Sequence, residues 1–237
     1  MLAILNQGQV GPVRKRIAIA TQSLLRDTLT LDDADWRAPS LLPGWSRAHV
    51  ATHVARNADA LRRVIAAARS GDPAPLYPSA NTKYNDIERG AERSGIDLQV
   101  DLDTSAGELV NLADRVEDWL TPVRFLGGEF PLSVITLVRL QELTIHHLDL
   151  DCGFTWEDIE PVPARWLLQW MLLLMRDDPM LPAVNLVSDT GETAEIGGVG
   201  VPREVSGPDA ALWAWLTGRT SGDGVTGAEG ITFPLAG

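Results

Sequence analysis

The 237-residue chain is poor in cysteine and in basic side chains. Its single cysteine, Cys152, excludes an intrachain disulfide and every zinc motif that requires several cysteines. Lysine and arginine together number 20 against 32 aspartates and glutamates, so the formal net charge is −12. An acidic surface repels phosphate backbones and anionic lipid headgroups. We therefore expect neither a nucleic acid nor a membrane as partner.

Long apolar runs and common catalytic motifs are missing as well. The longest apolar stretch, 166–175, contains Gln169 and falls short of the roughly 18 residues that indicate a membrane span. The start of the chain lacks the basic segment and apolar core of a signal peptide, which predicts a cytoplasmic protein. The sequence contains no HExxH, acidic calcium loop, glycine-rich phosphate loop or nucleophile elbow.

Helical periodicity dominates the first part of the chain. The predicted helices span residues 11–30, 46–70, 80–93, 104–120 and 130–150. Ser46 follows a Pro-Gly-Trp turn and is a suitable N-cap for the second of these helices. The pattern predicts an antiparallel four-helix bundle in a first domain at residues 1–152.

The composition changes after this first domain. The sequence then predicts helices at 160–176 and 208–218, strands at 183–187, 192–196 and 201–205, and an edge strand at 230–234. Residues 153–237 are therefore predicted to form a small α/β domain. The fold class predicted for the whole chain is α+β.

The predicted helix at 130–150 is apolar on nearly every side except for one polar stripe. Arg139, Glu142, His146 and Asp149 fall within roughly 80° of one another on the helical wheel, and His147 points about 100° away from His146. Charge on a buried helix has to be paired or coordinated, so Glu142 and His146 are candidate metal ligands. The alternative is an ion-pair network of Arg139 with both carboxylates around a hydrogen-bonded core histidine.

The other two histidines, His49 and His53, are four residues apart on the predicted helix at 46–70. Both fall on one helix face, and periodicity does not choose between them. Two such helices brought together would offer two imidazoles and a carboxylate, with which zinc forms sites that keep one position open. The alternative is one exposed histidine and one that is hydrogen-bonded.

Four segments of the chain resemble the mycothiol-dependent maleylpyruvate isomerases and their DinB-like relatives. They are LLPGWSRAHVATHVARNADAL (41–61), LYPSANTKYNDIERG (76–90), VRLQELTIHHLDL (138–150) and LTGRTSGDGVTG (216–227). Together these segments extend from the first helices to the tail. The spacing of Trp45 and His53 combined with the ExxxHxxDL pattern is the most specific part of the resemblance.

The resemblance implies a DinB-like four-helix bundle followed by a small α/β domain. It also implies zinc bound by His53, Glu142 and His146, with His53 chosen over His49, and Asp149 as a residue that orients a ligand. The implied cofactor is mycothiol, whose thiol binds at the open zinc position and ionises. In the family mechanism the thiolate adds to the cis double bond of maleylpyruvate, the resulting single bond rotates, and elimination gives fumarylpyruvate.

Lys83 is where the chain departs from the family pattern. The isomerases have an arginine at the matching position, which is taken to hold a substrate carboxylate. Lysine supplies the charge without the bidentate fork, so the change concerns the substrate more than the zinc or the thiol. The resemblance implies Lys83 and Arg139 as catalytic residues. The alternatives are a solvated surface lysine and a structural arginine.

The first function hypothesis is therefore a zinc- and mycothiol-dependent maleylpyruvate isomerase, expected to be a monomer that binds a small substrate and a low-molecular-weight thiol. The alternatives are a mycothiol S-transferase that acts on an electrophile and a non-catalytic DinB-like binding protein. Cys152 closely follows the predicted metal-binding helix. A lone cysteine is nevertheless more often a small buried apolar residue than a catalytic one.

Overall fold

The protein is described by a computed structural model that covers residues 5–70, 79–125 and 127–236. The chain divides into two compact units, one ending at Phe154 and the other beginning at Thr155. The assignment of residues 1–152 and 153–237 to separate domains stays a prediction. In the described ranges, none of the helices combines the length and apolar character needed to cross a bilayer.

The first unit is predominantly helical, and its helices confirm the predicted bundle. They are α1 Gln7–Thr28, α2 Asp33–Arg37, α3 Arg47–Ser70, α4 Ala80–Ala91, α5 Gly95–Ala113 and α6 Val134–Asp149. A short hairpin of β1 Pro122–Phe125 and β2 Gly128–Pro131 precedes α6. Helix α3 packs against α4, α5 and α6, and α1 packs against α6. Their contacts bury a core that includes Leu24, Val50, Val54, Leu98 and Leu143.

Four predicted helix boundaries are wrong, and hydrogen bonds explain the three starts among them. Helix α5 begins at Gly95 rather than 104 because the Ser94 side chain caps it by accepting from Asp97 N, and it ends at Ala113 rather than 120. Helix α1 begins earlier than predicted because Asn6 caps it. Helix α6 begins at Val134 because residues 128–131 pair in the hairpin instead.

The second unit combines helices with a three-stranded sheet, which confirms the α+β class. The sheet has the order β4–β3–β5, formed by β3 Pro182–Ser188, β4 Thr193–Ile196 and β5 Val199–Gly207. Strand β4 is antiparallel to β3, whereas β5 is parallel to it. Helices α7 Pro161–Met175 and α8 Asp209–Leu216 pack against each other.

The predicted edge strand at 230–234 is wrong, since the described residues of that segment form no strand. Its alternating apolar residues instead serve to pack Trp215. The Phe233 ring lies 4.8 Å from the Trp215 ring in an edge-to-face arrangement, and Trp215 Nε1 donates to the carbonyl of Ile231. Alternation of apolar residues therefore marks a buried segment here without a strand partner.

Candidate metal centre

Helices α3 and α6 bring two histidines and a glutamate together inside the first unit. His53 Nε2 lies 3.1 Å from Glu142 Oε2, and His146 Nε2 lies 3.5 Å from the same oxygen. One ligand atom from each of the three residues lies within 4.8 Å of the other two. Glu142 and His146 are four residues apart on α6, so they lie on one face one helical turn apart. The structure thus joins the three residues that the resemblance implies as metal ligands.

Asp149 fixes the orientation of His146. Its Oδ2 lies 2.9 Å from His146 Nδ1, and the carboxylate is completely buried. An ionised carboxylate can only accept, so Nδ1 carries a proton and Nε2 is the nitrogen that remains for a metal at the centre. This buried Nε2 atom makes no close hydrogen bond within the described residues, since Glu142 Oε2 lies 3.5 Å away. A buried imidazole lone pair without a donor is what a metal site requires.

His49 is engaged at the start of α3 rather than at the centre. Its Nδ1 accepts from the backbone N–H of Ser46 at 3.2 Å and lies 2.6 Å from the Ser46 hydroxyl. The Ser46 hydroxyl in turn accepts from the backbone N–H of His49, which is the reciprocal pattern of a capping box. Trp45 stacks on His49 and also lies against His53, with ring centroids 6.3 Å and 5.6 Å apart. Trp45 therefore covers one side of the candidate ligand His53.

His147 lies on a different face of α6 from His146, as helical phase predicts. Its Nε2 is 3.1 Å from Asp27 Oδ2 on α1. Its ring stacks in parallel on Phe154 with centroids 4.1 Å apart. The Asp27 contact packs α6 against α1, and both contacts keep His147 away from the cluster of His53, Glu142 and His146.

The three clustered side chains have pKa values that are shifted in different directions. Burial, helped by the charge of His146, lowers the pKa of His53 to about 4, so this imidazole is neutral at pH 7. Burial opposes ionisation of Glu142, but hydrogen bonds with His146 and His53 hold its pKa well below the usual range. Burial also disfavours charge on His146, yet its bonds with Asp149 and Glu142 raise its pKa. The site therefore combines an anionic carboxylate with one neutral and one basic imidazole.

Arg139 and Lys83 occupy different surroundings. Arg139 is 2% exposed, and its guanidinium donates to Val54 O at 2.8 Å and Asn57 Oδ1 at 3.0 Å, both on α3. These bonds hold α6 against α3. Lys83 lies on α4, and its positive charge contributes to the lowered pKa of His53. The lysine charge therefore acts on the candidate centre.

Asn57, which accepts from Arg139, was not singled out in the sequence analysis. Its position one turn after His53 on the same face of α3 is nevertheless readable in the sequence.

Cys152 lacks the surroundings of a reactive thiol. It is partly exposed, and burial together with the Asp27 charge raises its pKa. A higher pKa leaves less thiolate at neutral pH, so nucleophilic reactivity decreases. The structure thus favours the apolar packing role for this cysteine.

The donor set fits a divalent metal that accepts nitrogen and oxygen ligands. Two imidazoles and one carboxylate, with one of the imidazole lone pairs buried and oriented by Asp149, match the composition of zinc sites that keep a position open. Among the described residues, His53, Glu142 and His146 are the group that could hold such an ion.

Comparison with known proteins gives two results that agree with this geometry. Residues 17–151 match the family model described as the mycothiol maleylpyruvate isomerase N-terminal domain. The chain is also similar to a crystal structure of the mycothiol-dependent maleylpyruvate isomerase, with 26% identity, 95% of this chain and 97% of that chain covered, and a TM-score of 0.87. For a histidine-to-alanine mutant of that enzyme the identity is 25%, the coverage is the same and the TM-score is 0.86. The search of curated proteins returned no match.

Proposed function

This chain belongs to the mycothiol maleylpyruvate isomerase family, and from that membership we propose that it is a zinc- and mycothiol-dependent enzyme that converts maleylpyruvate to fumarylpyruvate. The observation that carries the proposal is the convergence of His53, Glu142 and His146, in which the buried Nε2 atom of His146 makes no close hydrogen bond within the described residues. The similar crystal structures, which cover 95% of this chain, support the same activity class.

We assign His53, Glu142 and His146 as the zinc ligands. When bound, zinc would supply a Lewis acid that favours the thiolate form of a thiol at its open position. Asp149 holds the His146 ring in the tautomer that a ligand requires. The Trp45 ring lies against His53 and shields that ligand on one side. These residues thereby organise the site before any substrate arrives.

Lys83 is our candidate for binding a substrate carboxylate. Its charge reaches the centre, and a cation there offsets the repulsion that an anionic substrate meets from a chain with a net charge of −12. Arg139 is the second candidate from the family resemblance. Its bonds to Val54 and Asn57 favour the structural alternative for this arginine.

The test of the function is an assay of the purified protein with maleylpyruvate, with and without mycothiol, together with metal analysis. We expect about one zinc per chain and isomerisation that requires both metal and thiol. Restoring the family arginine with Lys83→Arg should raise kcat/KM about fivefold, because a guanidinium binds a carboxylate through two parallel hydrogen bonds.

Two other outcomes would replace the proposal. The lysine in place of the family arginine favours a mycothiol S-transferase as the second candidate function. Thiol conjugation to an electrophile, with no isomerisation by either the wild type or Lys83→Arg, would establish that alternative. Protein purified without metal and unable to bind mycothiol in zinc-supplemented buffer would indicate a non-catalytic binding protein.

Asp149→Asn should weaken zinc binding by about 10- to 100-fold, the usual cost of removing a group that orients a metal-bound histidine. The amide keeps the shape of the carboxylate but can donate to Nδ1, which would place the proton on Nε2 and block the ligand position. Competition with a chromophoric chelator measures the affinity. The matched control is Asp151→Asn, two residues further along at an exposed site, which should bind zinc like the wild type. Equal affinities for all three proteins would refute the role of Asp149.

A further inference from the structure

Helix α4 approaches α3 unusually closely at one glycine. A Cβ atom added to Gly90 would lie within 3.0 Å of both Cγ2 and Oγ1 of Thr52 on α3, with the hydroxyl oxygen at 2.9 Å. Favourable contacts between carbon atoms begin at roughly 3.5 Å, and the branched Thr52 side chain is buried and has little room to rotate away. A larger residue at position 90 would therefore push the two helices apart by roughly 1 Å. The observed spacing of α3 and α4 therefore depends on glycine at this position.

Helix capping does not account for Gly90. The residue lies inside α4, whose C-cap is Glu92, and it is absent from the glycines with positive φ in the described chain. Glycine in the interior of a helix is destabilising relative to alanine, because it loses the most backbone freedom on folding. Gly107 inside α5 gives a direct contrast, since a Cβ there would meet nothing within 4 Å. The close contact with Thr52 is thus the physical requirement for glycine at position 90.

The face of α4 that carries Gly90 also carries Lys83. Lys83, Ile87 and Gly90 are spaced at i, i+4 and i+7, which places their Cβ directions on one helix face. Ile87 is 3% exposed, so this is the face that α4 buries. Thr52, which Gly90 faces, directly precedes His53, and α4 packs along α3 at this point. Gly90, Ile87 and Lys83 therefore share the face that α4 turns towards α3, the helix that carries His53.

Two polar contacts hold α4 in the same place. Glu88 Oε1 lies 3.7 Å from Nε2 of His49 on α3. Just beyond the end of α4, Arg93 binds Asp101 on α5 at 2.6 Å. Both contacts flank Gly90 in the sequence, so the helix is fixed on either side of its closest approach. The Glu88 contact is the longer and weaker of the two, so a displacement at Gly90 would stretch it first and move the N-terminal part of α4, where Lys83 lies.

We propose that Gly90 is a positioning residue that sets the spacing of α4 from α3 and thereby holds Lys83 in place to bind a substrate carboxylate beside the metal centre. The inference rests on the proposed function in assigning the carboxylate to Lys83. Its geometric part, the dependence of the Lys83 position on Gly90, stands independently. A misplacement of about 1 Å in a group that positions substrate can cost up to about 100-fold in rate.

The experiment compares Gly90→Ala, Lys83→Ala, the double variant of both, and Gly90→Ala combined with Thr52→Ala. We expect Gly90→Ala to raise KM for maleylpyruvate and lower kcat/KM about 10- to 100-fold, while zinc content is unchanged. In the Lys83→Ala background, Gly90→Ala should add almost nothing, because it acts through that lysine. Thr52→Ala removes both atoms that would clash and should restore kcat/KM to within about threefold of the wild type.

Gly107→Ala is the matched control, a helix glycine in open space whose replacement should leave KM and kcat unchanged. An unchanged KM in Gly90→Ala would overturn the proposal. So would a decrease in kcat/KM of the double variant with Lys83→Ala that equals the product of the two single decreases. If Gly90→Ala does not fold, Glu88→Gln loosens the same helix without a clash. It should raise KM a few-fold, and an unchanged KM would likewise count against the proposal.

A structural measurement separates this inference from the proposed function. Crystal structures of the wild type and of Gly90→Ala should show the Cα separation of Lys83 from His53 increased by about 0.5–1 Å. That increase would support the positioning role even if the wild type does not isomerise maleylpyruvate. An unchanged separation would overturn the positioning role even if the enzyme is active.

Discussion

We expect His146→Ala to lose nearly all bound zinc and to reduce kcat/KM for maleylpyruvate at least about a thousandfold. His146 contributes one of three candidate ligands and is also the residue that links Glu142 to Asp149. Losing a group that only orients a ligand costs about 10- to 100-fold in metal affinity, so losing the ligand itself should cost more. Metal analysis of the purified variant and a single-substrate kinetic assay measure both effects.

The same loss of zinc should follow from His53→Ala and Glu142→Ala. His49→Ala and His147→Ala are the matched controls and should keep a full complement of zinc. His147→Ala removes the contacts with Asp27 and Phe154, so its stability should decrease and its zinc content should be measured well below its melting temperature. Full zinc retention in the His53 or His146 variant would refute the proposed ligand set.

The contribution of α6 to this site could be predicted because helical phase is insensitive to its exact ends. Helix α6 begins four residues later than predicted, but a change at its start does not alter the relative phase of Glu142 and His146. His146 Nε2 still lies 3.5 Å from Glu142 Oε2 on one helix face. A buried helix also makes its polar residues conspicuous, since each needs a partner. The sequence therefore carried both the identity of the pair and the reason to expect it.

The choice of His53 over His49 could not be made from the α3 sequence alone. Both histidines lie on one face, about 40° apart. What separates them is the capping box, in which Ser46 binds His49 and fixes it at the helix start. A histidine at the third helical position is not the glutamate or glutamine that signals such a box. Only the family resemblance pointed to His53 before the structure.

The boundaries missed by sequence reasoning have local causes at the start of α5 and tertiary causes after its end. The polar start of α5 shows little periodicity, although its Ser94 cap is readable in the sequence. After α5, the backbone N–H of Trp119 bonds to the Gln7 side chain on α1, and Leu132 N bonds to Thr121 O near the hairpin. These partners lie far apart in sequence or depend on strand pairing. Helix propensity alone therefore predicts a helix that continues to residue 120, whereas tertiary contacts end α5 at Ala113.

The second large effect that we expect is on zinc affinity at acidic pH. Zinc binds neutral imidazoles and ionised carboxylates, so protons on the ligands compete with it. The raised pKa of His146 means that this imidazole keeps its second proton to a higher pH than an ordinary histidine, and zinc must displace that proton where it is bound. The affinity should therefore decrease about tenfold for each pH unit below the pKa of His146. It should be independent of pH above that value.

His53 should contribute to the pH dependence of zinc affinity only near and below about pH 4. Its pKa of about 4 keeps it neutral, so it adds a second displaced proton only near and below that pH. Calorimetry in buffers with different ionisation enthalpies should detect about one proton released per zinc between roughly pH 5 and 6. Two protons released in that interval would show that the pKa of His53 is not lowered. No proton released would show that His146 is already neutral there, which contradicts a raised pKa. Asp149→Asn should shift the onset to lower pH, because it removes the carboxylate that raises the pKa of His146.

The metal-free protein should respond to acid through the same groups, with signs that differ between them. Since the pKa of His53 is about 4 when folded and near 6.5 when unfolded, the unfolded chain binds the extra proton as pH falls from about 6.5 to 4. The lowered pKa of His53 corresponds to a loss of stability of about 3 kcal/mol, and Glu142 adds a further loss as pH falls below about 4.5. The raised pKa of His146 acts oppositely: its contribution is fully present below about pH 6.5 and is lost as pH rises through its folded value.

Thermal unfolding of the apo protein should therefore show that His53→Asn, which lacks the titrating imidazole, loses less stability than the wild type between pH 6.5 and 4. An equal loss in both proteins would contradict the assignment of the acid sensitivity to His53.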